Sequence, residues 1–245
     1  MPVAIITGAS RGLGLALATG LADAGWRLVL DARSADALAS AVDRLSARRR
    51  RTAAGGSDPV GLAGDVTDPA HRAVLLAAAD RLGGVDLLVN NAGILGPSPQ
   101  PALADYPLDA LRSVYEVNVV APLALTQLAL PVLRARRGAV VTVSSDAAIE
   151  AYPGWGGYGS AKAAVELAGR VLAAEEPAVR VWVVDPGDLR TAMHQEAFPG
   201  EDISDRPLPE TVVPAFLRLL ATAPPSGRIS LASPVPAAPS TGVPA

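Results

Sequence analysis

Short apolar runs alternate with longer Ala/Leu-rich stretches along this chain. The runs Val3–Ile6, Arg27–Leu30, Val60–Ala63, Val85–Val89, Gly138–Val143, Val179–Val184 and a weaker Arg228–Leu231 are the predicted strands. Amphipathic or Ala/Leu-rich stretches at 12–24, 34–48, 68–82, 107–135, 158–174 and 209–221 are the predicted helices. Strands that are apolar throughout, rather than every second residue, belong to a sheet covered on both faces. The alternation therefore predicts an α/β fold with a mostly parallel seven-stranded sheet flanked by helices.

Two stretches break the pattern. Arg48–Arg51 followed by Gly55-Gly56 reads as a helix end fraying into a solvated basic loop, with an anion or partner site as the alternative. The segment Pro234–Ala245 is rich in Pro, Ala, Ser and Gly and has no aromatic anchor, so a disordered tail is expected.

Composition narrows the function. Half of the 245 residues are hydrophobic, enough for one substantial core, and residues 1–233 are expected to form a single domain. The net charge of -3 offers no broad cationic face, so neither nucleic acid nor an acidic membrane is an expected partner. Without cysteine, and with His71 and His194 as the two histidines, no disulfide and no Cys/His metal site is expected. The first residues lack a basic region, and their apolar run stops at Gly8; the expected location is the cytoplasm.

The candidate chemistry begins at Thr7-Gly8-Ala9-Ser10-Arg11-Gly12-Leu13-Gly14, between the first strand and the first helix. Glycines there let the backbone turn tightly and approach a pyrophosphate, whose charge sits against unpaired N–H groups at the helix start. The spacing TGxxxGxG resembles that of the short-chain dehydrogenase/reductase family, and later motifs follow in the same order. Asp65-Val66 resembles the pair that holds adenine through a carboxylate and a backbone amide; Asn90-Asn91-Ala92-Gly93 matches NNAG, which buttresses the sheet and lines the cofactor cleft. The resemblance covers about residues 3–231 and implies a Rossmann-like, doubly wound domain binding a nicotinamide dinucleotide.

Charge at the end of the second strand bears on which dinucleotide. An acid there favours ribose hydroxyls and repels a 2′-phosphate, whereas Arg accommodates the phosphate. Asp31 and Arg33 pull in opposite directions. By resemblance the NAD-selecting acid corresponds to Ala32, while Arg33 and Arg11 stand at positions used by NADP-preferring members. NADP(H) is favoured, NAD(H) stays open, and an Arg11–Asp31 pair at the rim is the competing account of these charges.

Tyr158 and Lys162, four residues apart, share one face of a predicted helix. Ser145 lies thirteen residues before Tyr158 at the end of a buried-looking strand. With the mid-helix Asn118 they match the family's tetrad, which makes Asn118, Ser145, Tyr158 and Lys162 the candidate catalytic residues. The chemistry suits these types: a carbonyl oxygen that gains charge as hydride arrives needs a proton donor. Bringing a phenol from 10 to about 7 takes about 4 kcal/mol, which Lys162 and an oxidised nicotinamide could supply together. Ser145 would donate to the substrate oxygen. The resemblance further implies that Lys162 holds the nicotinamide ribose, that Asn118 places a relay water, and that Pro186, Gly187 and Thr191 of PGxxxT contact the nicotinamide end.

Segment 188–207 takes the place of the family's lid. Asp188 and His194 of this segment, and Trp155 of the loop between Ser145 and Tyr158, are the candidate substrate contacts, with a solvated His194 and a merely packed Trp155 as alternatives. The expected activity is hydride transfer between NADP(H) and a small carbonyl or secondary alcohol. A non-catalytic NADP(H)-binding sensor is the rival on the same fold. Sugar-nucleotide epimerases share YxxxK but differ in glycine spacing and need a longer substrate domain. The short link from Glu175 to Arg180 and the missing VDGG-like ending depart from the family; a homodimer is expected and a tetramer is left open.

Overall fold

A computed structural model describes residues 1–52 and 58–232. Its strands are β1 (Val3–Ile6), β2 (Arg27–Ala32), β3 (Val60–Ala63), β4 (Leu87–Asn90), β5 (Ala139–Val143), β6 (Arg180–Asp185) and β7 (Gly227–Ser230). They form one parallel sheet in the order β3-β2-β1-β4-β5-β6-β7, with Ile5 of β1 in register with Val29 on one side and Leu88 on the other. The chain reverses its direction of travel across the sheet between β1 and β4, and such a switch point opens a crevice at the carboxyl ends of the strands.

The helices are α1 (Gly12–Asp23), α2 (Ala35–Thr52), α3 (Pro69–Arg81), α4 (Leu108–Tyr115), α5 (Ala121–Arg136), α6 (Gly156–Glu175), α7 (Ala192–Ala197) and α8 (Val213–Thr222). Leu17, Leu21 and Phe216 pack with Leu28, Leu30 and Trp182 on one face of the sheet. Leu75, Leu125 and Leu133 pack with Val3, Ile5 and Leu88 on the other. Alternate residues of β1 thus enter opposite cores, which is why its whole run is apolar.

Three expectations change. Arg48–Arg51 are not a loop: α2 continues through them to Thr52. Cations in a last helical turn face the negative end of the helix dipole, and Arg48 pairs with Asp23 of α1 at 2.8 Å while Arg49 reaches Asp58 at 2.8 Å. The predicted helix 107–135 is a rod over Leu108–Arg136 broken by a π-helical turn at Glu116–Val120. This rod is long and apolar enough to cross a membrane, but its Leu125, Ala129 and Leu133 are fully buried against the sheet, as in a core helix. Segment 188–207 carries α7, which the polar sequence there did not suggest. The Pro234–Ala245 tail lies outside the described residues.

The short link after α6 has its own support. Arg134 of α5 bonds Glu176 through both nitrogens of its fork, and Val179 donates to the Glu176 carbonyl at 3.0 Å.

Candidate active site

A cleft of about 530 Å³ runs across the carboxyl ends of β1 to β6. At its centre two turns brace each other. Thr7 Oγ1 accepts the N–H groups of Asn91 and Ala92, both at 3.0 Å, and the Asn91 carboxamide donates to the carbonyls of Thr7 at 2.8 Å and Gly8 at 3.1 Å. Gly8 has φ of 65°, and a Cβ on Gly14 would lie 2.4 Å from the Gly8 oxygen. Any side chain at 14 would push α1 off the turn, so the glycine spacing is a packing requirement as well as a path for a phosphate.

The Gly-rich turn lines the cleft through Gly8, Arg11, Gly12, Leu13 and Gly14, whereas Ser10 does not line it. Arg33, Asp65 and Val66 border one end; Asn91, Ala92 and Gly93 form the floor; Pro186, Gly187 and Thr191 close the other side. Thr191 also caps α7, accepting the His194 N–H at 3.1 Å. Arg11 and Arg33 are exposed and form no salt bridge among the described residues, so both cations are available to an anion. Asp65 accepts from the Thr67 amide and hydroxyl, which hold its carboxyl below the usual range. A narrow trough of glycines and backbone amides with two cations at one end suits a dinucleotide phosphate.

The proposed Arg11–Asp31 pair does not form. Asp31 is buried beneath the rim and bonds His71 instead, at 2.6 Å. The burial has a cause: His71 rises from α3 to meet it.

Tyr158, Lys162 and Ser145 line the same cleft, and Tyr158 and Lys162 are only 7% and 5% exposed. Lys162 Nζ donates to the Val143 carbonyl at 2.8 Å and lies 5.4 Å from the centre of the Tyr158 ring. Asn118 sits behind the cleft on the π turn, where its carboxamide accepts the Ile94 N–H and donates to the Ile94 carbonyl, both at 2.9 Å. A π turn offsets one side chain from the regular helical spacing, and here it turns Asn118 toward the strand-end loop after β4.

The expected lowering of the phenol needs an oxidised nicotinamide beside Lys162, and the chain without one shows the opposite direction. Burial pushes the Tyr158 hydroxyl up, helped by the charges of Asp146 and Asp185, while burial pulls the Lys162 ammonium down to about 8. Without a cofactor, burial first and these two carboxylates second favour the protonated phenol.

Ser145 has a partner that no motif suggested. Its hydroxyl donates to Asp146 Oδ1 at 2.8 Å, and Tyr152 donates to Asp146 Oδ2 at 3.0 Å. A second unanticipated group lies behind: Arg228 of β7 bonds Glu166 at 2.6 Å and Asp185 at 2.8 Å, and Glu166 accepts from Ser144 at 3.1 Å. This network ties β5, β6, β7 and α6 together directly under Ser145. Nothing local in the sequence marks Arg228; Glu166, one turn past Lys162 on a buried helix face, was the available signal.

Over the phenol, Trp155 lies edge-on to Tyr158 at 5.8 Å and reaches Phe198 at 5.9 Å. His194 packs on Phe198 at 4.9 Å with its side chain only 11% exposed, so it is not solvated, and Asp188 stands 3.9 Å away. Trp155, Asp188 and His194 all line the cleft.

Residues 2–202 match the family model described as short chain dehydrogenase. The chain belongs to the short-chain dehydrogenase family. Among curated relatives it is 37% identical over 195 residues to 1-deoxy-11-beta-hydroxypentalenate dehydrogenase of Streptomyces avermitilis, covering 78% of this chain and 69% of that one. It is also 37% identical over 206 residues to sepiapterin reductase of Meriones unguiculatus, covering 80% and 77%. Among solved structures, an alcohol dehydrogenase from the archaeon Thermococcus sibiricus complexed with 5-hydroxy-NADP superposes with a TM-score of 0.82 at 28% identity, covering 94% of this chain and 95% of that one. The family membership makes this chain a short-chain oxidoreductase.

Proposed function

We propose that residues 1–233 act as one NADP(H)-dependent catalytic unit that reduces a small carbonyl compound or oxidises the matching secondary alcohol in the cytoplasm. One observation carries the reading. A protonated phenol stands at the aromatic end of a cleft whose other end offers a glycine-lined trough and two uncommitted arginines. The nucleotide in the Thermococcus sibiricus complex supports the choice of cofactor.

The nicotinamide, when bound, supplies or accepts the hydride. Arg33 and Arg11 would hold the 2′-phosphate, the amides of the Gly-rich turn the pyrophosphate, and Lys162 the nicotinamide ribose. Tyr158 gives its proton to the carbonyl oxygen as charge grows there and becomes a phenolate, and in reverse that phenolate takes the alcohol proton. Ser145 stands beside it; a turn about its own side-chain bond redirects its hydroxyl from Asp146 to the substrate oxygen. Trp155, Phe198 and His194 shield the reacting centre from water and select a substrate with an apolar face.

Exposed apolar side chains on two packed helices, Leu123 and Leu128 of α5 and Leu167 and Val171 of α6, are where we place the homodimer contact. Sedimentation of wild type and Leu128→Glu tests it, a monomer in the variant alone being the expected result.

Turnover of a carbonyl panel with NADPH and with NADH tests the main reading. Reduction of at least one member with NADPH preferred is expected. Tight NADPH binding without turnover of any carbonyl or alcohol would replace the enzyme with a sensor.

A further inference from the structure

Asp31 lies on β2 one residue before Ala32, yet its carboxylate is only 2% exposed. Its Oδ1 meets Nε2 of His71 at 2.6 Å, and His71, on α3, is itself 9% exposed. An ionised carboxylate only accepts, so Nε2 carries the hydrogen. His71 reaches this point because residue 64 is glycine: a Cβ there would lie 2.2 Å from the ring's Nδ1. The Gly8 amide acts on the same carboxylate, favouring its charged form, and the Asp31 carbonyl accepts the Ala9 N–H at 2.8 Å. The Gly-rich turn, the end of β2 and α3 therefore meet at one acid, which borders the cleft together with Arg33 and Asp65.

An acid at this place is a liability for a site that takes a 2′-phosphate. Left unpaired and free to turn, it would put a like charge beside the phosphate and compete with it for Arg33. Burial alone pushes the Asp31 carboxyl up, and the hydrogen bond and charge of His71 act against that rise.

We propose that His71 is a specificity-determining residue for the cofactor: its hydrogen bond holds the Asp31 carboxylate inward against α3, away from the cleft, so that a chain with an acid on this strand end accepts a 2′-phosphorylated dinucleotide. The inference rests on the NADP(H) reading above. Gly64 belongs to the same device, because it opens the path for the imidazole.

The test is fluorescence titration of the full chain with NADPH and NADH, for wild type, His71→Phe, Asp31→Asn and the double variant. His71→Phe keeps a ring over Gly64 and should weaken NADPH binding at least about tenfold while moving NADH less than about twofold. Adding Asp31→Asn should bring NADPH back to within about threefold of wild type, because the unpaired charge is gone. Equal loss for both cofactors, unchanged NADPH binding, or no rescue in a folded double variant overturns the inference. Should His71→Phe not fold, Asp31→Asn alone decides: an NADPH-to-NADH preference at or above wild type supports the inference, and a tenfold fall refutes it. Wild type that binds neither dinucleotide sinks the cofactor reading and this inference with it, an outcome separate from all the others because it appears before any variant is made.

Discussion

Lys162 follows Tyr158 by one helical turn and keeps its ammonium 5.4 Å from the phenol ring while donating to the Val143 carbonyl at 2.8 Å. The lysine is thus anchored to the end of β5, the strand that also delivers Ser145, and α6 is locked to that strand at its reacting turn. Both groups are buried, and burial disfavours the charged form of each: it leaves the phenol protonated and makes the ammonium easier to deprotonate.

Tyr158→Phe keeps the ring against Trp155 but leaves no proton to give. Turnover should fall at least about 100-fold, with NADPH affinity nearly unchanged. Steady-state kinetics and a cofactor titration on the same preparation check this; wild-type turnover in a folded variant would remove Tyr158 from the mechanism.

Arg33→Ala removes an exposed cation without opening a cavity. NADPH affinity should drop about tenfold or more, the worth of a charge-assisted contact, while NADH affinity stays close to wild type. Dissociation constants for both cofactors decide it, and parallel loss of the two would mean that Arg33 does not meet the 2′-phosphate.

Lys162 also makes stability depend on pH. Its folded pKa is pulled from 10.5 down to about 8, so between those values the unfolded chain binds a proton that the folded chain does not. Stability therefore rises with pH across that window and loses this contribution as pH falls through about 8. Measured by denaturant unfolding of the cofactor-free protein, wild type should gain about 3 kcal/mol on Lys162→Met from the lower to the upper end of the window. Parallel profiles for the two proteins would refute the burial cost assigned to the ammonium.

Arg228→Leu strands two carboxylates, Glu166 and Asp185, that share one guanidinium. The variant should lose about 3 kcal/mol of stability, since a buried charge without its partner costs more than the intact pair contributes. Unfolding in urea measures this. Glu166→Gln, which keeps the shape and one hydrogen bond to Ser144, should lose clearly less; an equal loss would show that shape rather than charge holds the network.

The fold was legible because its signals are local. Uniform apolar runs announce strands covered on both faces, the glycine spacing announces the turn that α1 must approach, and the four-residue step from Tyr158 to Lys162 announces a shared helix face. Each depends on residues near one another in the chain, so no knowledge of packing is needed. The continuation of α2 through Arg48–Arg51 was missed because its partners Asp23 and Asp58 lie on other segments. The π turn that aims Asn118 was hidden for a related reason: its sequence, Glu-Val-Asn-Val-Val, has an ordinary helical pattern, and contact with Ile94 goes with the extra residue.

What tertiary structure alone decided are the partners of buried charges. Asp31 and His71 stand 40 residues apart, and Glu166 and Arg228 stand 62 apart. A local reading set Asp31 against Arg11 at the rim, since both looked like surface charges near one turn. Folding places α3 behind β1 and β2 instead, and a glycine at position 64 lets an imidazole through to the acid. A buried charge must find a counter-group wherever the fold brings one. The sequence by itself therefore determined the sheet, the turn and the four candidate catalytic residues, while packing between distant segments determined the burial and the charge around them.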